Sequence, residues 1–204
     1  MQDNREYRNL QGFENKPDYI IEGYACLWEP YLYYEGDGVK VFERVDPHAF
    51  DNADMADIVL RVDHTGKVYA RTSNGTLAYK IDSKGLWIRA DLSKTDAGKE
   101  LHNEIVQGMY SKMSWAFVVD DNGDSYDAKT RTRNILKVKK VYDCAVVSHA
   151  ANPATSVQAR SAQDYFTGVV KPVLIQELEE RQAIEQRNNA IDEYLANIRK
   201  AVKK

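Results

Sequence analysis

The sequence predicts an α+β chain, with a strand-rich domain over residues 1–160 and a linker and helical tail over 161–204. Three observations carry this. Short β-branched and aromatic runs recur through the first part, separated by turn residues such as Asp46-Pro47, Asn74-Gly75 and Asp82-Ser83-Lys84-Gly85. One stretch, Ser93 to Gly108, has instead the apolar spacing of a helix. After Pro153 the composition shifts, and from Val170 it is rich in Glu, Gln, Arg, Asn and Ala.

The elements follow in order. Tyr19 to Trp28 is a β-rich run, with Gly23 as a bulge or close-packing point. Residues 31–38 form a Tyr- and Gly-rich loop, and Val39 to Val45 is a strand. Asp46-Pro47 turns the chain into a short helix from His48 to Ala56. Ile58 to Val62 is an apolar strand that delivers His64. Asn74-Gly75 marks a hairpin between two strand-like runs. Leu77 to Ile81 and Leu86 to Leu92 pair around the turn at Asp82-Gly85. In the helix that follows, Asp96 is the expected cap. Ala97, Leu101, Ile105 and Val106 form its stripe, and Gly108 ends it. Lys112 to Val119 is the next strand. The acidic loop from Asp120 to Thr132 lacks the closing Glu of a calcium loop and reads as a solvated hairpin tip. Ile135 to Val147 is a strand pair or one long bent strand.

In the tail, Pro172 suits a helix start. Ile184, Ile191 and Ile198 recur every seven residues, each followed four residues later by Asn188, Leu195 or Val202. This spacing fits a helix that pairs with a partner, and equally one that lies on a domain surface.

The net charge of -3 argues against a general nucleic-acid binder, which would carry a basic patch. No apolar stretch approaches the roughly 18 residues of a membrane helix. The first eight residues lack the apolar core of a signal peptide, so the protein is expected to stay where it is made. Cys26 and Cys144 lie in apolar runs and read as buried free thiols. With no His-Glu-x-x-His and no Cys-x-x-Cys, no metal or other cofactor is expected.

Three residues carry candidate chemistry: a base, a hydroxyl and a carboxylate. His64 follows a rigid strand, and a neutral imidazole can take a hydroxyl proton and return it to a leaving amine. Ser114 is flanked by Met113, Trp115 and Phe117, so its hydroxyl is expected in a semi-buried cleft. Ser111 is the alternative, although it looks like a turn residue. Asp143 lies within Val141-Tyr142-Asp143-Cys144-Ala145-Val146-Val147, where a carboxylate is costly to bury without a partner. His149 is the second choice for the third member. A Cys144–His pair is set aside because alternation puts Cys144 on the opposite face from Asp143. A metal-dependent hydrolase built on His64, Asp63 and Asp143 is a further reading.

These segments, in this order, resemble the prohead (capsid maturation) proteases of tailed phages. The resemblance runs from Tyr19 to Val157. It is carried by Gly23-Tyr24-Ala25, by Glu43 before Pro47-His48-Ala49-Phe50, and by Asp63-His64 and Gly85-Leu86. It continues through Gly108, Met113-Ser114-Trp115-Ala116-Phe117, the Asp143 strand and Ala150-Ala151-Asn152-Pro153-Ala154. Asp143 stands for the family's commoner Glu, Ala145 for Ser, and His149-Ala150 for an apolar-Pro pair.

The resemblance implies a fold like that of the herpesvirus assemblins, a small mixed β-barrel with surrounding helices. It implies a serine endopeptidase with Ser114 as nucleophile, His64 as base and Asp143 as orienter. In the assemblins a second His falls where Asp143 lies, which favours Asp143 over His149. Their arginine pair, which helps bind the oxyanion, has no counterpart after Asp143, so backbone N–H groups near Ser114 are the expectation. The implied partners are the phage's major capsid protein or scaffolding protein. Autocleavage and a homo-oligomer fit the same picture, and no nucleic-acid or membrane partner is implied. The implied place is the assembling procapsid in the host cytoplasm. A non-enzymatic procapsid component, with the tail as its binding element, is the alternative function.

Overall fold

A computed structural model of the chain describes residues 5–9, 13–148 and 162–202. The chain divides into two compact units, residues 1–163 and 164–204.

The first unit is α+β and mostly sheet. Its strands are β1 (Glu6–Asn9), β2 (Phe13–Lys16), β3 (Ile20–Leu27), β4 (Tyr31–Gly36), β5 (Val39–Val45), β6 (Val59–Val62) and β7 (Thr65–Arg71). Then come β8 (Leu77–Ile81), β9 (Gly85–Asp91), the helix α1 (Asp96–Val106), β10 (Lys112–Val119), β11 (Asp124–Asp127), β12 (Thr132–Ile135) and β13 (Val138–Val147). They form three sheets, ordered β1-β10-β13-β6-β7, β11-β12-β5-β4 and β2-β3-β9-β8. Two of these are mixed, with β13 parallel to β6 and β12 parallel to β5.

No closed barrel forms among the described strands. Each sheet keeps two edges, and no ladder joins one sheet to the next. Residues from all three sheets and from α1 instead meet in one core, which includes Ile21, Val45, Leu60, Ile88, Leu101, Trp115, Ile135 and Val146.

Several segments differ from the sequence reading, each for a local reason. The Tyr-rich stretch is a strand, β4, rather than a loop. It returns into β5 through Asp37-Gly38, both at positive φ (51° and 73°), as a two-residue hairpin turn requires. Residues 48–56 form no helix. Ala49, Asp51 and Ala53 each donate to the carbonyl three residues back, so the segment is a run of tight turns. Asn74-Gly75 closes no hairpin, because the short 3-10 turn Thr72–Asn74 carries the chain from one sheet to another. The bulge expected at Gly23 falls between Tyr24 and Cys26. Ile135 and Val138 end and begin separate strands. The N–H groups of Leu136 and Lys137, between them, both turn to the Gly123 carbonyl.

In α1 the cap is Thr95, whose hydroxyl accepts from Gly98 N–H at 3.0 Å, while Asp96 is the acidic residue of the first turn. Leu101, His102 and Ile105 are buried, and Val106 is exposed. Gly108 follows the helix at φ 80°, as an end signal should. The paired strands β8 and β9, and β10 with its bounds, lie where the sequence puts them.

Strand β1 was not legible from apolar pattern. It is held from beneath by a charged network. Arg8 is fully buried and grips Glu43, also fully buried, through Nε and, at 2.7 Å, through Nη2. Arg133 donates to Glu43 (3.0 Å) and, through both terminal nitrogens, to Glu6 (2.6 and 2.9 Å). Tyr31 donates its hydroxyl to Glu43, and Arg8 lies over the rings of Tyr33 and Phe117. Burial alone would raise the Glu6 carboxyl, but Arg8 and Arg133 outweigh it and hold the group at about 2.

The second unit contains a π-turn at Phe166–Val170 and the long helix α2 (Lys171–Val202), with Pro172 in its first turn. Ile184, Ile191 and Leu195 are exposed. The side chains of Ile198 and Val202 lie outside the described ones. Among the described residues no helix is long and apolar enough to cross a membrane.

Candidate active site

His64 owes its position to a turn. Val62 pairs with Thr65, so Asp63-His64 is a two-residue loop between β6 and β7. Both residues have positive φ, 46° and 59°, the backbone such a loop demands and one that Asp and His tolerate better than most residues. The Asp63 N–H donates to Val146 O of β13 at 3.1 Å, and Arg61 Nη1 donates to Gly66 O at 2.8 Å, so the turn is tied on both sides.

Ser114 lies inside β10, fully buried and between two neighbours. It faces Asn9 of β1 on one side and Ala145 of β13 on the other. Cross-strand partners share a face, so Ser114, Ala116, Ala145 and Asp143 form a four-cornered patch on one side of the sheet. Met113, Trp115, Phe117 and Cys144 point the other way into the core, where the Trp115 and Phe117 rings stack at 3.8 Å. Ser114 and Asp143 occupy diagonal corners of the patch. The other two corners are alanines, small enough to leave room above them. Beside Asp143 the strand bulges at Tyr142, so that Ala116 faces Asp143 but Phe117 faces Val141.

The imidazole of His64 bridges the diagonal. Its Nε2 lies 2.7 Å from Ser114 Oγ and its Nδ1 lies 2.5 Å from Asp143 Oδ1. An ionised carboxylate only accepts, so Nδ1 carries the proton and Nε2 is left to accept from the hydroxyl. The Asp143 side chain is 3% exposed and that of His64 13%. Asp143 is thus a buried carboxylate with an N–H partner, the arrangement that makes such burial tolerable. The Tyr7 ring of β1 meets the imidazole edge-on, centroids 4.6 Å apart at 68°.

The structure therefore brings together His64, Ser114 and Asp143. Ser111 sits exposed just before β10, its N–H donating to Val147 O at 3.4 Å. Cys144 is fully buried on the far face, and burial, with the nearby Asp143, pushes its thiol well above the ordinary range. Cys26 is likewise a buried free thiol. His149 and the Ala151-Asn152-Pro153-Ala154 turn lie outside the described residues. Among the described residues no three His, Cys, Asp or Glu side chains cluster as a metal site. Tyr7 and the Arg8 anchor give no local signal. Glu6-Tyr7-Arg8-Asn9 has one aromatic among polar residues, and Glu43, His64 and Arg133, which meet it, lie more than thirty positions away.

A family model described as caudovirus prohead serine protease matches residues 6–167. No curated protein and no solved structure matches the chain.

Proposed function

The chain belongs to the caudovirus prohead serine protease family, and from that premise we propose that Ser114 is its nucleophile, His64 its general base and Asp143 the orienting acid. The observation that carries the assignment is the unbroken relay from Ser114 Oγ to His64 Nε2 (2.7 Å) and from Nδ1 to Asp143 Oδ1 (2.5 Å).

In this scheme His64 Nε2 takes the Ser114 proton as Oγ attacks the scissile carbonyl. Asp143 stabilises the imidazolium that forms and keeps its ring in place. The imidazolium then returns its proton to the leaving amine. A water, activated by the same nitrogen, releases the acyl group from Ser114. The N–H of Ser114 itself is committed to the sheet, since the residue is paired on both sides. The oxyanion donor in this reading is therefore a different group.

The substrates in this reading are the scaffolding protein or the scaffold-like segment of the major capsid protein, with autocleavage accompanying their removal. The enzyme acts inside the assembling procapsid in the host cytoplasm. Residues 1–160 are its protease domain, and 161–204 a linker and tail that serve assembly. The likeness to the assemblin fold belongs to the same reading. Its support is the family membership and the matching order of base, hydroxyl and third group along the chain.

The test is incubation of the protein with its own phage's capsid precursor, with new termini mapped by mass spectrometry. Wild type cuts, and Ser114→Ala folds but does not. Continued cutting by Ser114→Ala, with loss in Ser111→Ala, would overturn the assignment.

A further inference from the structure

Two hydrogen bonds hold the imidazole of His64 by its ends, to Asp143 and to Ser114. They leave some slack. The ring can still rock about its own Cβ–Cγ bond, and rocking swings Nε2 out of line with the hydroxyl. A third contact, against the ring itself, limits that motion. The side chain of Tyr7 supplies one, its ring edge-on to the imidazole at 4.6 Å and 68°, within the range such pairs favour.

Tyr7 is well placed to serve as a fixed stop. It pairs with Ala116 across β1 and β10, so it stands on the same face as Ser114 and Asp143, beside a residue with only a methyl group. The next residue, Arg8, points to the opposite face. There it is fully buried, grips Glu43, and donates Nη1 back to the Tyr7 carbonyl at 2.9 Å. The backbone that carries the Tyr7 ring is thus pinned by charge from below while the ring meets the base from above. A loosely held aromatic could not restrain an imidazole. This one is mounted on a strand with little freedom.

We propose that Tyr7 is a positioning residue of this protease, fixing the plane of the His64 ring so that Nε2 stays aimed at Ser114. The inference rests on the assignment of Ser114, His64 and Asp143 made above. It makes the ring, and not the hydroxyl, the working part of Tyr7. It also makes the amino-terminal strand part of the catalytic apparatus.

Three readouts on the full-length protein test it. They are the rate of covalent labelling by a fluorophosphonate, kcat and KM on capsid precursor, and the downfield proton resonance of His64 Nδ1–H. Tyr7→Phe should keep labelling and kcat within about twofold and keep the resonance, because the ring remains. Tyr7→Leu should lower the labelling rate and kcat about ten- to a hundredfold with KM little changed, and should broaden the resonance. Should Tyr7→Leu not fold, Tyr7→Met takes its place. In wild type, magnetisation transfer between Tyr7 and His64 ring protons should report the contact. Wild-type labelling in the folded Leu or Met variant, equal losses in Tyr7→Phe and Tyr7→Leu, or no transfer between the rings would overturn the proposal. Labelling that persists in Ser114→Ala would instead overturn the site assignment beneath it.

Discussion

Asp143 stands one pleat along β13 from Ala145, the residue opposite Ser114, and that offset decides how long its side chain needs to be. The carboxylate reaches Nδ1 at 2.5 Å, so a chain one methylene shorter than the family's commoner Glu spans this gap. Asp143→Asn should leave the fold intact and lower kcat by about 10⁴, since an amide can hold the imidazole in the wrong tautomer. Circular dichroism and capsid-precursor cleavage would check both halves. The alanines at the other corners give a second expectation. Ala116→Leu puts added bulk on the patch that the imidazole crosses, so it should reduce kcat and cost about 1–3 kcal/mol from overpacking. Urea denaturation beside the activity assay separates the two effects. At this scale the sequence was informative. An acid inside an apolar run signals a buried partner whatever the fold. The identity of that partner came from the resemblance and from alternation along the strand.

Strand β1 shows where such reading stops. Its fixation comes from Arg8, Glu43 and Arg133, residues far apart in the chain that meet only when two sheets pack. No local pattern announces them, and a four-residue strand without apolar alternation is silent to periodicity. Arg8→Met should destabilise the protein by about 3–5 kcal/mol, because it leaves Glu43 buried with one cation fewer. Arg8→Met combined with Glu43→Leu should recover part of that loss, and chemical denaturation of the three proteins would show it. The helix α1 is the opposite case. Its presence is legible from spacing, but it spans Asp96–Val106 rather than Ser93 to Gly108, and its cap lies one residue earlier than expected because Thr95 and Asp96 are both good capping types. Thr95→Ala should cost about 1 kcal/mol. The turns are intermediate. Asp37-Gly38 is a strong hairpin signal overshadowed by its tyrosine-rich surroundings. Asn74-Gly75 is an equally strong one that here joins strands of different sheets.

For the whole molecule, pH acts through the same network. The folded-state Glu6 carboxyl lies at about 2 against an ordinary 4.5, a lowered value. Its contribution is therefore fully present above about pH 4.5 and is lost as pH falls from there through 2. The loss amounts to roughly 3 kcal/mol. Acid titration followed by tryptophan fluorescence should show wild type losing stability across that window, and Glu6→Gln should flatten the slope there. The second unit is tested separately. Removal of the chain from Pro172 onward should spare peptide cleavage and reduce incorporation into procapsids, which gel analysis of purified particles would reveal. The number of sheets was not legible, because period-2 patterning tells which face of a strand is buried but not which strand lies beside it.

The order of strands in the site sheet has a temporal consequence. β13 is the last strand of the described first unit to be synthesised, yet it lies between β10, which carries Ser114, and β6, which leads to His64. A nascent chain that has emerged only as far as Ile135 holds the base and the hydroxyl on strands with nothing to join them, and it lacks the acid altogether. On the site assignment proposed above, peptide hydrolysis waits for β13 to leave the ribosome and slot between its two older neighbours. Until β13 is made, the three groups of that assignment cannot meet.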